Sequence, residues 1–391
     1  MKKLLILGAS IAQIPFIKQA KAMGLIVAVA DYNNKAEAIE YADEYFECSL
    51  VDLDGLRSVT KEFQPDGITC AASDVGVESC AVLCEEFHLP GMTPQVAHVV
   101  KNKEAMIKAF EAAGVAHPAY KTIGTPEDPI NMDFPLITKP IDKSGSRGIN
   151  IAHDEQELRV ALQDSFACSD MKRVIVEEYM QGPEVSVEIL VQGGIPYVLQ
   201  VTDKLTTGAP HFIEIGHSQP SQLPSEGVAQ IRQLAEAAVR AVGVLDGCCH
   251  AEIILTANGP KMVEIAGRLG GDFITTVLLP LSTGVNLSEF EILRAIGTPK
   301  AFEKKEYAGK GSAVRFIEAC PGKVSSVEIE YNAEIMRGVE DLKLVCKTGR
   351  TYEEVANNND RFGYVITTGK TAQDAVDRAE RVKACIKITM E

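Results

Sequence analysis

Apolar positions along this chain follow two rhythms, and the switches between them mark out the elements. Short apolar runs closed by turn residues predict strands at Lys3 to Leu7 and Leu25 to Asp31, with a helical stretch through Ala22 between them. Phe46 to Ser49 and Gly67 to Ala72 continue the alternation, the pattern of an open, largely parallel sheet. A helix over Val100 to Ala113 carries Lys101, Lys103 and Lys108 and stops at Gly114. Strands then dominate. Two flank the small-residue loop of PLITKPIDKSGSRGINIAH, residues 135–153, and RVIVEEYM, residues 173–180, is a buried strand with a polar end. Glu184 to Val191 and Pro196 to Val201 form a hairpin around Gly193-Gly194. Apolar residues at 231, 234, 235, 238, 239 and 242 give Ser225 to Val242 the spacing of a helix laid on a sheet. A second hairpin joins Ala251 to Leu255 with Lys261 to Ile265 through Asn258-Gly259, a dipeptide suited to the positive-φ positions of a tight turn. Beyond Ala301, short strands and a closing helix from Thr371 to Ile386 describe a small cap. The predicted class is mixed α/β and α+β, with an N-terminal lobe over 1–98, a central domain over 99–300 whose flap spans about 116–182, and a cap over 301–391.

The second hairpin carries the chemistry. Glu252 and Glu264 lie equally far from its turn, so they face each other on one side of the ladder. Like charges placed there, with Cβ atoms about 5 Å apart, weaken the ladder unless something positive sits between them. A divalent cation is the usual answer, and Mg²⁺ typically takes one or two carboxylates and completes its shell with phosphate oxygens and water. Arg268, just past Glu264, adds a bidentate anion donor, and Gly270-Gly271 lets backbone approach a ligand closely. Together these predict a phosphate or acyl-phosphate site, whereas the hairpin alone is equally a solvated surface feature. Upstream, Gly145, Ser146 and Gly148 offer backbone N–H groups in a loop between strands, and Lys139 can reach a phosphate as a point charge. The end of RVIVEEYM, Glu177 to Met180, either reads a base edge through its backbone or is a plain sheet edge.

Composition narrows the partners. A chain of 391 residues accommodates two or three domains, and 46% apolar with 24% charged residues is ordinary for a soluble globular protein. A net charge of −15 opposes a nucleic-acid or anionic-membrane partner and directs attention to small molecules. Ten cysteines without CxxC pairs, an apolar run at Leu4 to Leu7 too short for a signal peptide, and no stretch of about 18 apolar residues predict a cytoplasmic protein with reduced thiols. Cys80, Cys84 and His88 share helical spacing but lack a fourth ligand nearby, so they read as buried packing. GASIAQ departs from GxGxxG and Asp31 is weak evidence for a ribose contact, so no dinucleotide is expected in the N-terminal lobe.

Taken in order, these pieces resemble the ATP-grasp superfamily over nearly the whole chain. The matching segments are NKEAMIKAFEAAGV with Lys103, PLITKP with Lys139, the flap SGSRGI, VEEYMQGPE, the two glutamates, and EIAGRLGG with Arg268. GSAVRFIEA and DRFGYVITTGKT look like the cap of the biotin-carboxylase-like branch, and HFIEIGHSQPSQL is similar to L-amino-acid ligases. The resemblance implies a Rossmann-like N-terminal lobe, a two-lobed ATP-grasp domain and a small α+β cap, with ATP and Mg²⁺, or Mn²⁺ in its place, as cofactors. It implies that Lys103 and Lys139 hold ATP phosphates under a flap of Ser144, Gly145, Ser146 and Gly148, that Glu177, Glu178 and Met180 meet adenine, and that Glu184 accepts from the ribose. Glu252 and Glu264 would bind the metal, and Arg268 would stabilise the transferred phosphate. Glu214, His217, Gly271 and Asp272 would line the substrate pocket, with Arg315 for a substrate anion. One departure stands out, because many members read Glu-x-Asn-x-Arg where this chain has Glu264, Ala266 and Arg268.

The activity so implied is ATP-dependent joining of a carboxylate to an amine through an acyl phosphate, with Lys139 and Arg268 spreading charge and His217 as general base. The expected partners are small carboxylates and amines, amino acids foremost, and analogy adds a homodimer. The rivals are a bicarbonate-using carboxylase, although no Met-Lys-Met carrier segment occurs, and a non-catalytic ATP-binding regulator.

Overall fold

The computed structural model describes residues 1–209, 212–303, 309–330, 332–353 and 358–391. His211, which opens the HFIEIGHSQPSQL segment, lies outside them. The N-terminal lobe is a parallel sheet in the order Glu44–Glu47, Ile26–Asp31, Lys3–Leu7, Gly67–Thr69, as its sequence rhythm predicts. Asp31 is spent locally, because its carboxylate accepts the Ala9 and Asn33 N–H groups at 2.9 Å each. It closes the first turn and is not presented to a ribose.

The helix predicted over Val100 to Ala113 is two helices, Pro94–Lys101 and Lys103–Ala113. Asn102 between them is extended, and its side chain accepts the Ala105 N–H at 3.0 Å. A capping asparagine offers the backbone an alternative to continuing the helix, so Lys103 becomes the first residue of a new one. Gly114 ends that helix in the left-handed region, as predicted.

Two antiparallel sheets enclose the central space. The flap sheet runs Tyr120–Ile123, Val174–Glu178, Leu136–Pro140, Asn150–Ala152, and helix Glu155–Cys168 packs Leu158, Leu162 and Phe166 against it. Asp154 caps that helix, accepting from Gln156 and Glu157. The larger sheet has eight strands: Gly259–Ala266, Gly247–Thr256, Glu184–Gln192, Ile195–Thr206, Glu214–Gln219, Gly311–Ile317, Gly363–Gly369 and Val339–Leu344. Its first five strands belong to the central domain and its last three to the cap. Helix Ser225–Val242 buries Ile231, Leu234, Ala235, Ala238, Val239 and Val242, the six positions its spacing marks. Within the hairpin, Glu252 and Glu264 are cross-strand partners, and the register shifts only beyond them, at Ile253.

Two predicted ends move. Strand Ile195–Thr206 continues past Val201, which carries Lys204 into the centre of the molecule. The closing helix is Ala372–Ala384, and Ile386–Met390 pairs as a strand with Gly322–Ile329. Among the described residues no helix is long and apolar enough to cross a membrane.

Candidate active site

A cavity of about 400 Å³ opens between the flap and the large sheet. Lys103, Lys139, Ser144, Gly145, Ser146, Glu177, Glu178, Met180, Glu184, Glu214, Glu252 and Glu264 all line it, so most of the predicted site residues meet there. Gly148 does not line it. It has φ of +70°, and a Cβ there would press within 2.9 Å of Cys168 and Pro140, so it shapes the flap turn from behind.

At the nucleotide end the cations are already matched. Lys139 Nζ lies 2.6 Å from Glu177 Oε2, and both side chains are buried. Glu177 therefore has its carboxylate on Lys139, which leaves only its backbone for a base. Glu178 pairs with Lys261. Lys103 Nζ sits 3.0 Å from Glu264 Oε2 and donates to the Lys143 carbonyl at 3.0 Å. Burial disfavours the Lys103 charge, but Glu264 outweighs it and raises the pKa.

The floor is set by strand alternation. Glu184, Ser186 and Glu188 share a face with their partners Ile254, Glu252 and His250. Lys204, unmarked by any motif, reaches this face and holds three carboxylates, Glu184 at 2.7 Å, Glu252 at 2.9 Å and Glu214 at 3.0 Å. Burial, with repulsion from Glu252, pushes Glu184 up to about 7 against the pull of Lys204. Burial also penalises the Glu252 charge, yet Lys204 and His250 hold its pKa far below the usual carboxylate range. Beneath, His250 Nδ1 is 2.6 Å from Glu188 Oε1, and Thr275 donates to Glu188 Oε2 at 2.5 Å. The His250 ring resists burial's preference for the neutral form because Glu188 attracts its proton, and its pKa rises to about 10. A Cβ at Gly270 would come within 2.5 Å of His250, so glycine is required over this group.

Arg268 is clamped from the N-terminal lobe. Its Nε and Nη2 donate to Asp74 Oδ1 and Oδ2 at 2.7 and 2.8 Å, and Nη1 donates to the Leu269 carbonyl. Burial opposes the Asp74 charge, but Arg268 holds its pKa at about 2.

The acceptor end is assembled by the cap. Arg361 donates to both Asp272 oxygens at 2.6 and 2.8 Å and to the Glu214 carbonyl at 3.1 Å, with its guanidinium carbon 3.6 Å from the centroid of the Phe316 ring. Asn358 accepts the Glu214 N–H at 3.0 Å and donates to its carboxylate at 3.3 Å. His217 Nε2 lies 3.6 Å from Glu214 and 3.7 Å from Asp272, and neither ring nitrogen has a hydrogen-bond partner. Burial disfavours its charge, but Asp272 and Glu214 together raise its pKa. The ring is buried behind the two carboxylates and not on the cavity wall, which does not suit the general base the sequence reading assigned to it. Arg315 is likewise displaced from its predicted role. Its Nε donates to Glu380 at 2.5 Å and its Nη1 to the Val314 carbonyl at 3.1 Å, because its strand turns it away from the cavity. Arg361, not Arg315, is the arginine that holds Asp272 and the Glu214 carbonyl. Gly271 and Asp272 lie beside the cavity and not on its wall.

Glu214, His217 and Asp272 bring ligand atoms within 4.8 Å of one another, a donor set that suits a metal. Lys204 on Glu214 and Arg361 on Asp272 already supply positive charge there, so the group reads as an ionic network. Glu252 and Glu264 are paired with Lys204 and Lys103 here, but unlike His217 and Asp272 both line the cavity, where a hard divalent cation could reach them. They are hard oxygen donors facing each other on the cavity wall, where phosphates could complete the shell.

Residues 132–276 match the ATP-grasp domain family. Residues 315–391 match the L-amino acid ligase C-terminal domain 2 family, so a match to an ATP-grasp domain is followed in this chain by a match to that C-terminal domain. An uncharacterized protein of Sinorhizobium fredii is 27% identical over 349 residues, covering 85% of this chain and 72% of its own. The crystal structure of L-amino acid ligase from Bacillus licheniformis superposes with a TM-score of 0.86 at 20% identity, covering 100% of this chain and 99% of that one. A biotin carboxylase domain of Hydrogenobacter thermophilus 2-oxoglutarate carboxylase, in complex with MgADP, ADP and bicarbonate, has a TM-score of 0.77 at 18% identity over 100% and 91% of the two chains. These two likenesses establish the fold. ATP with Mg²⁺ is the cofactor pair of ATP-grasp enzymes.

Proposed function

We propose that this protein is an ATP-dependent carboxylate–amine ligase that joins small molecules, amino acids foremost, through an acyl phosphate. The observation that carries the reading is the position of the paired Glu252 and Glu264, at the junction between the lysine-lined nucleotide end and the Glu214–Asp272–Arg361 acceptor end. A nucleotide laid along the flap would bring its terminal phosphate to the place where an acceptor carboxylate arrives.

Lys103 and Lys139 would exchange their carboxylate partners for phosphate oxygens, and Glu252 and Glu264 would hold Mg²⁺, which supplies charge neutralisation at the transferring group. The substrate carboxylate oxygen attacks the γ-phosphorus, and the bond to the ADP oxygen breaks. The amine nitrogen then attacks the acyl carbon and phosphate leaves. Arg268, which Asp74 holds off the cavity wall in this structure, and the Gly270-Gly271 backbone would be the oxyanion donors. His217 Nε2 lies 3.6 Å from Glu214, the carboxylate on the cavity wall that would meet the amine as an ammonium.

Phosphate release is the test, measured with MgATP against single amino acids, paired amino acids, other small carboxylates and bicarbonate, with Glu264→Ala as the blank. Release that requires a carboxylate and an amine together supports the ligase. Release with bicarbonate alone overturns it in favour of a carboxylase. MgATP binding with no release across the whole panel overturns it in favour of a regulator.

A further inference from the structure

The acceptor, metal and nucleotide ends of the cavity share one cation. Glu184 comes from strand Glu184–Gln192, Glu214 from Glu214–Gln219 and Glu252 from Gly247–Thr256, yet all three carboxylates converge on Lys204 Nζ within 3.0 Å. The ammonium is nearly buried, with its side chain 8% exposed, and it lines the cavity alongside the three carboxylates. Lys204 sits opposite His217 in the ladder between strands Ile195–Thr206 and Glu214–Gln219, so the acceptor-side histidine and the shared lysine project to one face.

We infer that Lys204 is a positioning residue that couples the two ends of the site: it holds the nucleotide-side, metal-side and acceptor-side carboxylates in one array, so that a change at Glu214 is felt where the nucleotide binds. The physical basis is the expense of unpaired buried charge. The ammonium donates to Glu184 and Glu252 and lies 3.0 Å from Glu214 Oε1 as an ion pair, so displacing one acceptor shifts the balance for the other two. With all three carboxylates ionised the array is two charges negative, which suits a divalent cation on Glu252. The inference rests on reading the cavity as a nucleotide site joined to an acceptor site.

A double-mutant cycle tests it, with calorimetric affinity for Mg²⁺ and a non-hydrolysable ATP analogue as the readout, so that no acceptor substrate has to be known. Lys204→Met should weaken binding about tenfold, within the range of couplings between contacting residues, and Lys204→Arg should restore it to within about threefold. Glu214→Gln, at the far end of the array, should weaken binding about threefold in the native background and change it by less than about 1.5-fold in the Lys204→Met background. A purely structural lysine would lower the unfolding temperature but leave the effects of the two changes additive. Equal effects of Glu214→Gln in both backgrounds, or none in either, overturn the coupling. If Lys204→Met does not fold, Lys204→Gln, which keeps a donor without the charge, takes its place in the cycle. Failure of the unaltered protein to bind the analogue would overturn the nucleotide reading itself, whereas binding with additive effects would overturn only the role given to Lys204.

Discussion

The two ends of the cavity are built in opposite ways. At the nucleotide end each functional residue sits in a short motif, and its partner is a neighbouring strand or helix start: Lys139 meets Glu177 across adjacent strands, and Glu252 faces Glu264 across a single turn. Long reaches occur at both ends, Arg268 meeting Asp74 across 194 residues and Lys103 meeting Glu264, but the acceptor end is the one assembled by the cap. Arg361 reaches Asp272 across 89 residues of sequence, Asn358 reaches Glu214 across 144, and both arms come from the cap. A cofactor common to a superfamily is met by local grammar, whereas the acceptor end depends on how distant segments happen to converge.

That contrast can be broken by substitution. Glu264→Gln removes a carboxylate proposed to hold the metal and the partner of Lys103, and it should cut ADP formation about a thousandfold, the scale of losing an electrostatic contact to the reacting group. Arg361→Ala should cut turnover with acceptor about a hundredfold, through lost positioning of Asp272 and Glu214, while the affinity for an ATP analogue stays within about twofold. If the analogue's affinity falls as far as turnover, the two ends are not separate devices. Asp74→Asn should lower kcat about tenfold with little change in nucleotide affinity, because its task is to hold the Arg268 fork. Steady-state kinetics beside calorimetry distinguish these cases.

The smallest effect is one of pH. Glu214 and Asp272 make the folded chain bind the His217 proton more tightly than the unfolded chain does. The stability from that proton is complete below the ordinary histidine value of 6.5 and is lost as pH rises through the higher folded value. The unfolding temperature of the native protein should therefore decline as pH rises above 6.5, and His217→Asn should flatten that decline by about 2 °C. Parallel curves for the two proteins would show that the ring stays neutral between its carboxylates.

Legibility followed the same divide. A tight turn between antiparallel strands places the two glutamates opposite to within one residue, and the register shift between Glu252 and Ile253 sets Glu252 against Glu264. The six buried positions of helix Ser225–Val242 followed from its period. Asn102 did carry its signal, being a capping residue inside an otherwise helical run, but the run of good helix formers around it hid the break. Asp74 stands just beyond a short parallel strand, Gly67–Thr69, where open α/β sheets gather ligand-binding groups, yet only the folded chain shows that it meets Arg268. Arg361 stood within a motif already linked to the cap, and Arg315 drew the role because it lay in a more regular strand. Strand alternation then turned Arg315 toward Glu380. Lys204 had no motif at all, and its significance arises from three strands that sequence order does not bring together.

The large sheet crosses from the central domain into the cap without a gap, strand Glu214–Gln219 pairing with Gly311–Ile317 through four consecutive residues from Gly216↔Arg315 to Gln219↔Ser312. A shortened protein ending near residue 300 would thus expose a raw hydrogen-bonding edge directly beside the acceptor end, and such edges recruit other chains. Attempts to trade caps between relatives, as one might trade modules, would have to graft a strand into the middle of a sheet. Acceptor preference should accordingly diversify by substitution at positions such as Asn358 and Arg361 more readily than by exchange of whole segments.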